Sequence, residues 1–282
     1  MNASIVCKPT PWFLFRAAAM LLMFGIFTVL FFVDGKWGYR EKNLSYFVSQ
    51  AFEEAAREFE IQKDDLSPEA WRAFAGRQGI DFVHRETEGD EGKAVPVPEG
   101  TPVPMPWPPV LCDYEQMQAA ASESPGKLFD DYRLEAGIKK DAPEHAFPES
   151  KISEQWVVFW ICLTLTAGAL AVLLRVLGRS TAIDGEAFYP AGGGKVPFAD
   201  LVRLDLRRWD TKGLAFAYAK TAAGGERKLR IDGLTYGGFK PEQGEPAEQL
   251  MRGLRENFTG EVIEYVTEPE PAAPGAGAAP GA

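Results

Sequence analysis

Two stretches decide the architecture of this chain: WFLFRAAAMLLMFGIFTVLFFV (Trp12–Val33) and WVVFWICLTLTAGALAVLL (Trp156–Leu174). The first is free of charge from Ala17 to Val33, with Arg16 near its start, and the second carries no charge at all. A helix crossing the hydrocarbon of a bilayer needs about 20 mostly apolar residues. Both stretches meet that length, and they predict transmembrane helices over residues 12–33 and 156–177. The 282-residue chain is thereby cut into an N-terminal piece (1–11), a long loop (34–155) and a C-terminal part (178–282).

The first stretch reads as an uncleaved anchor rather than a signal peptide. Its apolar run is long, and it ends Phe32-Val33-Asp34-Gly35 with no small-x-small cleavage pattern. Orientation follows from Lys and Arg near the spans. Arg175 and Arg179 follow the second span, whereas Lys151 stands before it among Asp141, Glu144, Glu149 and Glu154. The first span is less decisive, with Lys8 and Arg16 before it and Lys36, Arg40 and Lys42 after it. The second span and the N-terminal amine predict both termini in the cytoplasm, with the loop on the other side of the membrane. Trp12, Trp37, Trp156 and Trp160 mark the interfaces. Neither span holds an internal Asp, Glu, His or Lys, so no ion relay is indicated.

The net charge of −10 is unevenly spread. The loop holds 14 Lys/Arg against 25 Asp/Glu, whereas residues 175–240 hold 12 against 7. Phosphate binding needs excess Lys and Arg, so the acidic loop argues against nucleic acid. The three cysteines, Cys7, Cys112 and Cys162, lie far apart. Cys112 has no partner within the loop, which leaves an unpaired buried thiol or an intermolecular bridge.

The loop reads as a mainly helical, acidic domain. Val48, Phe52, Ala55, Ala56 and Phe59 recur at helical spacing, predicting a helix that continues the first span. Ser67-Pro68 reads as an N-cap and first helical residue, with Trp71, Phe74 and Ala75 on one face and a stop near Gly76 or Gly79. Residues 86–100 are acidic and Gly-rich, predicting a mobile stretch. The Pro-rich segment 95–110 holds seven prolines between Pro96 and Pro109 and predicts an extended spacer. A last helical patch spans Leu128–Ala136. The two histidines, His84 and His145, both fall in the loop. Neither has a second ligand at zinc-like spacing, so they read as surface residues and no metal or other cofactor is implied. With no histidine elsewhere, a Ser-His-Asp or Cys-His set in the C-terminal part is excluded.

Beyond residue 178 the period changes from helix to strand. Val202, Leu204 and Leu206 alternate with charged residues, Leu214, Phe216 and Tyr218 with Ala215 and Ala217, and Leu229 and Ile231 with Arg230 and Asp232. Turn chemistry separates these runs at Asp184-Gly185, Gly192-Gly193-Gly194, Asp210–Gly213 and Gly224-Gly225. A weak strand is expected near Thr235–Phe239 and a short extended piece at Val262–Val266. One helix closes the series: Pro246 opens it, Ala247, Leu250, Met251, Leu254 and Phe258 form one stripe, and Gly260 ends it. The expectation is an antiparallel β-meander over residues 178–266, closed by one amphipathic helix and followed by a disordered tail at 267–282. Gly192-Gly193-Gly194-Lys195 lacks the leading Gly and following Ser/Thr of a phosphate loop and reads as a hairpin turn.

These residues carry a resemblance. Val196-Pro197-Phe198, Leu201 and Trp209–Gly213, followed by RKLRIDGLTY and the closing helix, look like the bacterial pleckstrin-homology-like (PH-like) domains. More narrowly, they resemble the C-terminal domains of uncharacterised two-span bacterial membrane proteins. The resemblance covers about residues 180–265. It implies a binding or scaffolding module beside a membrane and assigns no catalytic residue. The fold class expected is an α+β membrane protein without enzymatic activity. Its partners would be the lipid bilayer and a protein. Arg203, Arg207, Arg208, Lys212, Arg227, Lys228 and Arg230 are the candidate residues facing lipid or partner, although Asp205, Asp210 and Asp232 would neutralise part of that charge. The alternative is an envelope sensor whose loop binds a ligand. A hydrolase built on loop acids such as Asp81 or Asp130 is the weakest reading, because sequence alone pairs no two of them.

Overall fold

The computed structural model describes residues 4–62, 67–84, 92–122, 124–222 and 224–265. The expected tail at 267–282 and residues 86–91 of the expected mobile stretch lie outside these residues. The protein is α+β, with two helices long and apolar enough to cross a membrane. Strand β1 (Ile5–Cys7) precedes helix α1 (Pro11–Val33), which passes through a five-residue π-helical turn (Asp34–Gly38) into α2 (Tyr39–Gln62). Helix α3 (Pro68–Ala75), strands β2 (Gly79–Ile80) and β3 (Met105–Pro106), and helices α4 (Tyr114–Ser122) and α5 (Pro125–Glu135) follow. The second long helix is α6 (Glu149–Leu177). Contacts divide the chain into two compact units, residues 22–167 and residues 1–21 with 168–282.

In the first unit, α2 supplies the spine. Phe47, Val48, Ala51, Phe52, Ala55 and Phe59 are all buried along one face, as their spacing dictates. Ser67 caps α3, its hydroxyl accepting from the Ala70 N–H at 3.2 Å. That cap places Trp71 in the core, edge-on to Phe59, with its indole N–H donating to the Leu111 carbonyl at 2.9 Å. Two buried polar side chains lock the returning chain onto α2. Asn43 donates to the Pro96 and Phe147 carbonyls (2.8 and 3.0 Å) and accepts from the Phe147 N–H, and Ser45 donates to the Lys140 carbonyl. The Pro-rich segment therefore departs from the spacer expectation. Val95, Trp107 and Leu111 are buried in the same cluster as Trp71. Alternate residues of an extended chain face one side, so even a proline-dense strand can contribute to a core.

The second unit holds the strands of the C-terminal part. Strands β4 (Thr181–Ile183), β5 (Ala187–Tyr189) and β6 (Val196–Pro197) form a meander, and β1 joins it antiparallel to β4. Asp184 closes the β4–β5 turn, its carboxylate accepting from the Glu186 and Ala187 N–H groups, each at 2.8 Å. The glycine run 192–194 is the β5–β6 hairpin turn. Strands β7 (Leu201–Asp205), β8 (Leu214–Lys220) and β9 (Glu226–Asp232) form a second meander, separated at the first corner by the short helix α7 (Trp209–Lys212). Gly213 ends α7 with φ +59°, a left-handed conformation suited to glycine. Helix α8 (Pro246–Asn257) buries Ala247, Leu250, Met251 and Leu254, and β10 (Glu261–Ile263) adds to β7 in parallel.

Two expectations need correction, and the structure adds which face of β8 is the core. Residues 235–239 form no strand; they turn, held by a bridge between Tyr236 and Pro9. Helix α8 stops at Asn257, and Gly260 instead lies against the Val202 carbonyl, which leaves no room for a Cβ. In β8 the alanines take the core side: Ala215, Ala217 and Ala219 are buried, and Leu214, Phe216 and Tyr218 look outward. The swap works because the outward aromatics are covered by cationic side chains. Enlarging a core alanine overpacks the site at a cost of about 1–3 kcal/mol. Ala217→Leu should therefore lower the unfolding free energy of this unit by that amount and Phe216→Ala by less, as measured by denaturant titration; the reverse order would contradict this assignment of faces.

Candidate functional site

Strands β7, β8 and β9 present one face of alternating aromatic and charged residues. Register sets Arg203 opposite Tyr218, Asp205 opposite Phe216, Tyr218 opposite Lys228 and Phe216 opposite Arg230. The Lys228 ammonium lies 3.8 Å from the Phe216 ring centroid, and the Arg203 guanidinium 4.2 Å from that of Tyr218. Such contacts contribute roughly 0.5–1 kcal/mol each at exposed sites. A cavity of about 270 Å³ opens here among Arg207, Arg208, Leu214, Phe216, Lys228 and Tyr265.

The seven basic residues singled out in the sequence do not form one patch. Three are neutralised: Arg203 by Glu226, Arg207 by Asp205 and Arg230 by Asp232. Asp205 and Asp232 thus act as expected, whereas Asp210 has no ion pair among the described residues and Glu226 takes its place. Arg208 and Lys228 line the cavity without an ion pair among the described residues. Lys212 lies on α7, outside the strands, and does not line the cavity. Arg227 stands opposite Ala219, on the alternate side of β9 from Lys228. Parity in β9, not proximity in sequence, decides which cations share a face.

The Asp205–Arg207 pair braces the rim of this cavity, with Nε to Oδ1 at 3.0 Å and Nη2 to Oδ2 at 2.8 Å. Hydrogen bonding from the Arg207 side chain is the main force holding the Asp205 carboxyl below the usual aspartate range; the Arg207 backbone N–H and the charges of Arg207 and Lys228 add to it, and partial burial opposes it.

A second cavity, of about 250 Å³, lies in the unit of residues 22–167. Its walls include Phe47 and Trp107, with Glu54, Arg57, Asp81 and both histidines around them. His84 is not the surface residue expected: it is 5% exposed, and its Nε2 has no hydrogen-bond partner among the described residues. The cause is local pairing. The Val95 N–H donates to the Phe82 carbonyl at 2.8 Å and the His84 N–H to that of Lys93 at 3.0 Å. An extended segment turns alternate residues the same way, so Phe82 and His84 go inward together. That alternation in Asp81-Phe82-Val83-His84 was the overlooked signal. Asp130 lies elsewhere, ion-paired to Arg133 on α5, and does not join Asp81. No group of three or more His, Cys, Asp or Glu suited to a metal forms among the described residues. Cys7, Cys112 and Cys162 are free thiols. Burial pushes the Cys7 thiol up to about 11, and it donates to the Pro246 carbonyl, as befits a core residue.

Comparison with known proteins finds no matching family, no matching curated relative and no matching solved structure.

A carboxyl whose pKa is depressed by folding stabilises the fold above its unfolded value and loses that contribution as pH falls through the folded value. The stability difference between the wild type and Asp205→Asn should therefore be constant near neutrality and shrink below about pH 4. Urea titrations from pH 7 to 2 read this directly; a difference that grows on acidification would contradict the pairing.

Proposed function

We propose that this chain is a non-enzymatic integral protein of a bacterial inner membrane. In this reading α1 and α6 span the bilayer, both termini are cytoplasmic and residues 34–155 lie outside. The C-terminal unit is a PH-like module that binds an acidic segment of a partner protein. The observation that carries this is the aromatic–basic face of β7–β9 with its open cavity. Two antiparallel meanders and one closing amphipathic helix support the PH-like reading, and Arg175 and Arg179 after the second span support the orientation. A protein partner is favoured over the lipid surface, because three of the seven candidate cations are already neutralised. A membrane surface attracts broad uncompensated charge, whereas a peptide is recognised by a few placed groups.

Crosslinking of the full chain in native membranes tests this. A discrete adduct is expected with the wild type, retained in Lys240→Glu and lost in the pair Arg208→Glu, Lys228→Glu. No adduct above an unrelated membrane protein, or an adduct indifferent to the charge reversals, would contradict the reading.

The second cavity favours one further reading, in which the loop domain is an envelope sensor. A buried, unpartnered imidazole nitrogen is costly, by about 1–3 kcal/mol, unless something else satisfies it. Glu54, Asp81 and Arg57 place both signs of charge at the same opening, which suits a small zwitterion. Purified residues 38–152 should melt cooperatively, and some member of a panel of the L-amino acids should raise the midpoint in the wild type but not in Arg57→Gln. A featureless melt, or a midpoint unmoved by the whole panel, would end this reading.

A further inference from the structure

The third cavity lies where the apolar part of each long helix ends. It measures about 450 Å³ and is lined by Phe32, Lys36, Trp37, Arg40, Pro98 and Trp156, with Glu41 and Glu99 also on its wall. Its shape depends on the π-helical turn Asp34–Gly38. Such turns are rare and mark functional positions in helices. Here the widened turn is held by Arg40, whose guanidinium donates to the Gly35 and Lys36 carbonyls at 2.7 and 3.1 Å. α6 packs close to the turn at Gly35: a Cβ there would be in ordinary van der Waals contact, 3.4 Å from the Trp156 ring and from Gln155. Phe32 then meets Trp37 and Trp156 edge-on, each with centroids 5.8 Å apart. The Lys36 ammonium hangs 4.7 Å from the Trp37 ring centroid.

The chemistry of these walls is divided. Three aromatic rings form an apolar floor. Lys36 and Arg40 supply two positive charges, Glu41 and Glu99 two negative ones, and none of the four is ion-paired among the described residues. A ligand matching this carries one anionic and one cationic group on a short apolar-tethered head. At the boundary of two apolar helices, the ligand of that description at high local concentration is a phospholipid. We propose that this cavity is a headgroup site for an ethanolamine phospholipid. The phosphate lies at Lys36 and Arg40, the primary ammonium donates to Glu41 and Glu99, and the glycerol end rests on Phe32, Trp37 and Trp156. A choline headgroup has no N–H to give the carboxylates, and a glycerol headgroup brings no positive charge to them. The site rests on the membrane reading above.

The full chain in nanodiscs of equal parts phosphatidylethanolamine, phosphatidylglycerol and phosphatidylcholine provides the test. Native mass spectrometry after release should show ethanolamine lipid retained at least five-fold over choline lipid. Lys36→Gln with Glu99→Gln should bring the two to parity, while Lys139→Gln leaves the preference unchanged. A thermal melt of each variant separates loss of the site from loss of the fold, and a preference that persists in the folded double variant overturns the proposal. Equal retention of all three lipids by the wild type, or preference for the glycerol lipid, overturns the site and leaves the membrane reading standing. Failure of the wild type to enter nanodiscs overturns both.

Discussion

Apolar side chains on the outside of a helix must be covered by something, and two helices of this protein carry them along their whole apolar length. No residue of α1 is buried, and Leu22 and Val29 are 67% and 61% exposed. On α6, Val157 and Leu174 are each 60% exposed. Full burial of one such side chain contributes about 1.5–3 kcal/mol, so leaving them in water carries a large collective cost. A surface of this kind, without an internal acid or histidine to mark a pathway, is what a hydrocarbon solvent requires of a helix. The proposed orientation and the headgroup site both rest on supplying that solvent.

Where the spans end, backbone chemistry takes over from hydropathy. At the start of α1, Thr10 accepts from the Phe13 N–H and donates to the Leu234 carbonyl at 2.9 Å, so one hydroxyl caps the helix and fixes it to the turn that follows β9. At the other end the π-helical turn and its two glycines take the chain into α2 without a break. Asn43 and Ser45 then use buried hydrogen bonds to hold three distant carbonyls against α2. A buried amide with all its partners in place fixes one packing geometry, because every alternative leaves it unpaired.

Much of this was legible in the residues. The stripe of α8, the Ser67 cap of α3, the turns at Asp184 and Gly213 and the two apolar helices each announce themselves through local chemistry. What escaped depends on partners distant in sequence. Ile5–Cys7 is three residues with no turn beside it, and only its pairing with Thr181–Ile183 makes it a strand. The inward turn of Ala215, Ala217 and Ala219 is invisible locally, since larger apolar residues alternate with them and read as the core face. They face outward because Arg203 and Lys228, on neighbouring strands, cover their rings. Trp107 and His84 were hidden for the same reason: the segments that bury them are joined by backbone hydrogen bonds to residues distant in sequence. Of the candidate cations, the sequence supplies the identities, but strand parity and ion pairing decide that Arg208 and Lys228 share the open cavity while Arg227 does not.

Alkaline carbonate extraction of membranes from cells expressing the full chain tests the central claim most directly. A protein whose two long helices lie in hydrocarbon stays in the membrane pellet with known integral proteins. Complete release into the supernatant, alongside peripheral proteins, would mean that water or protein covers those apolar faces and that no bilayer is involved.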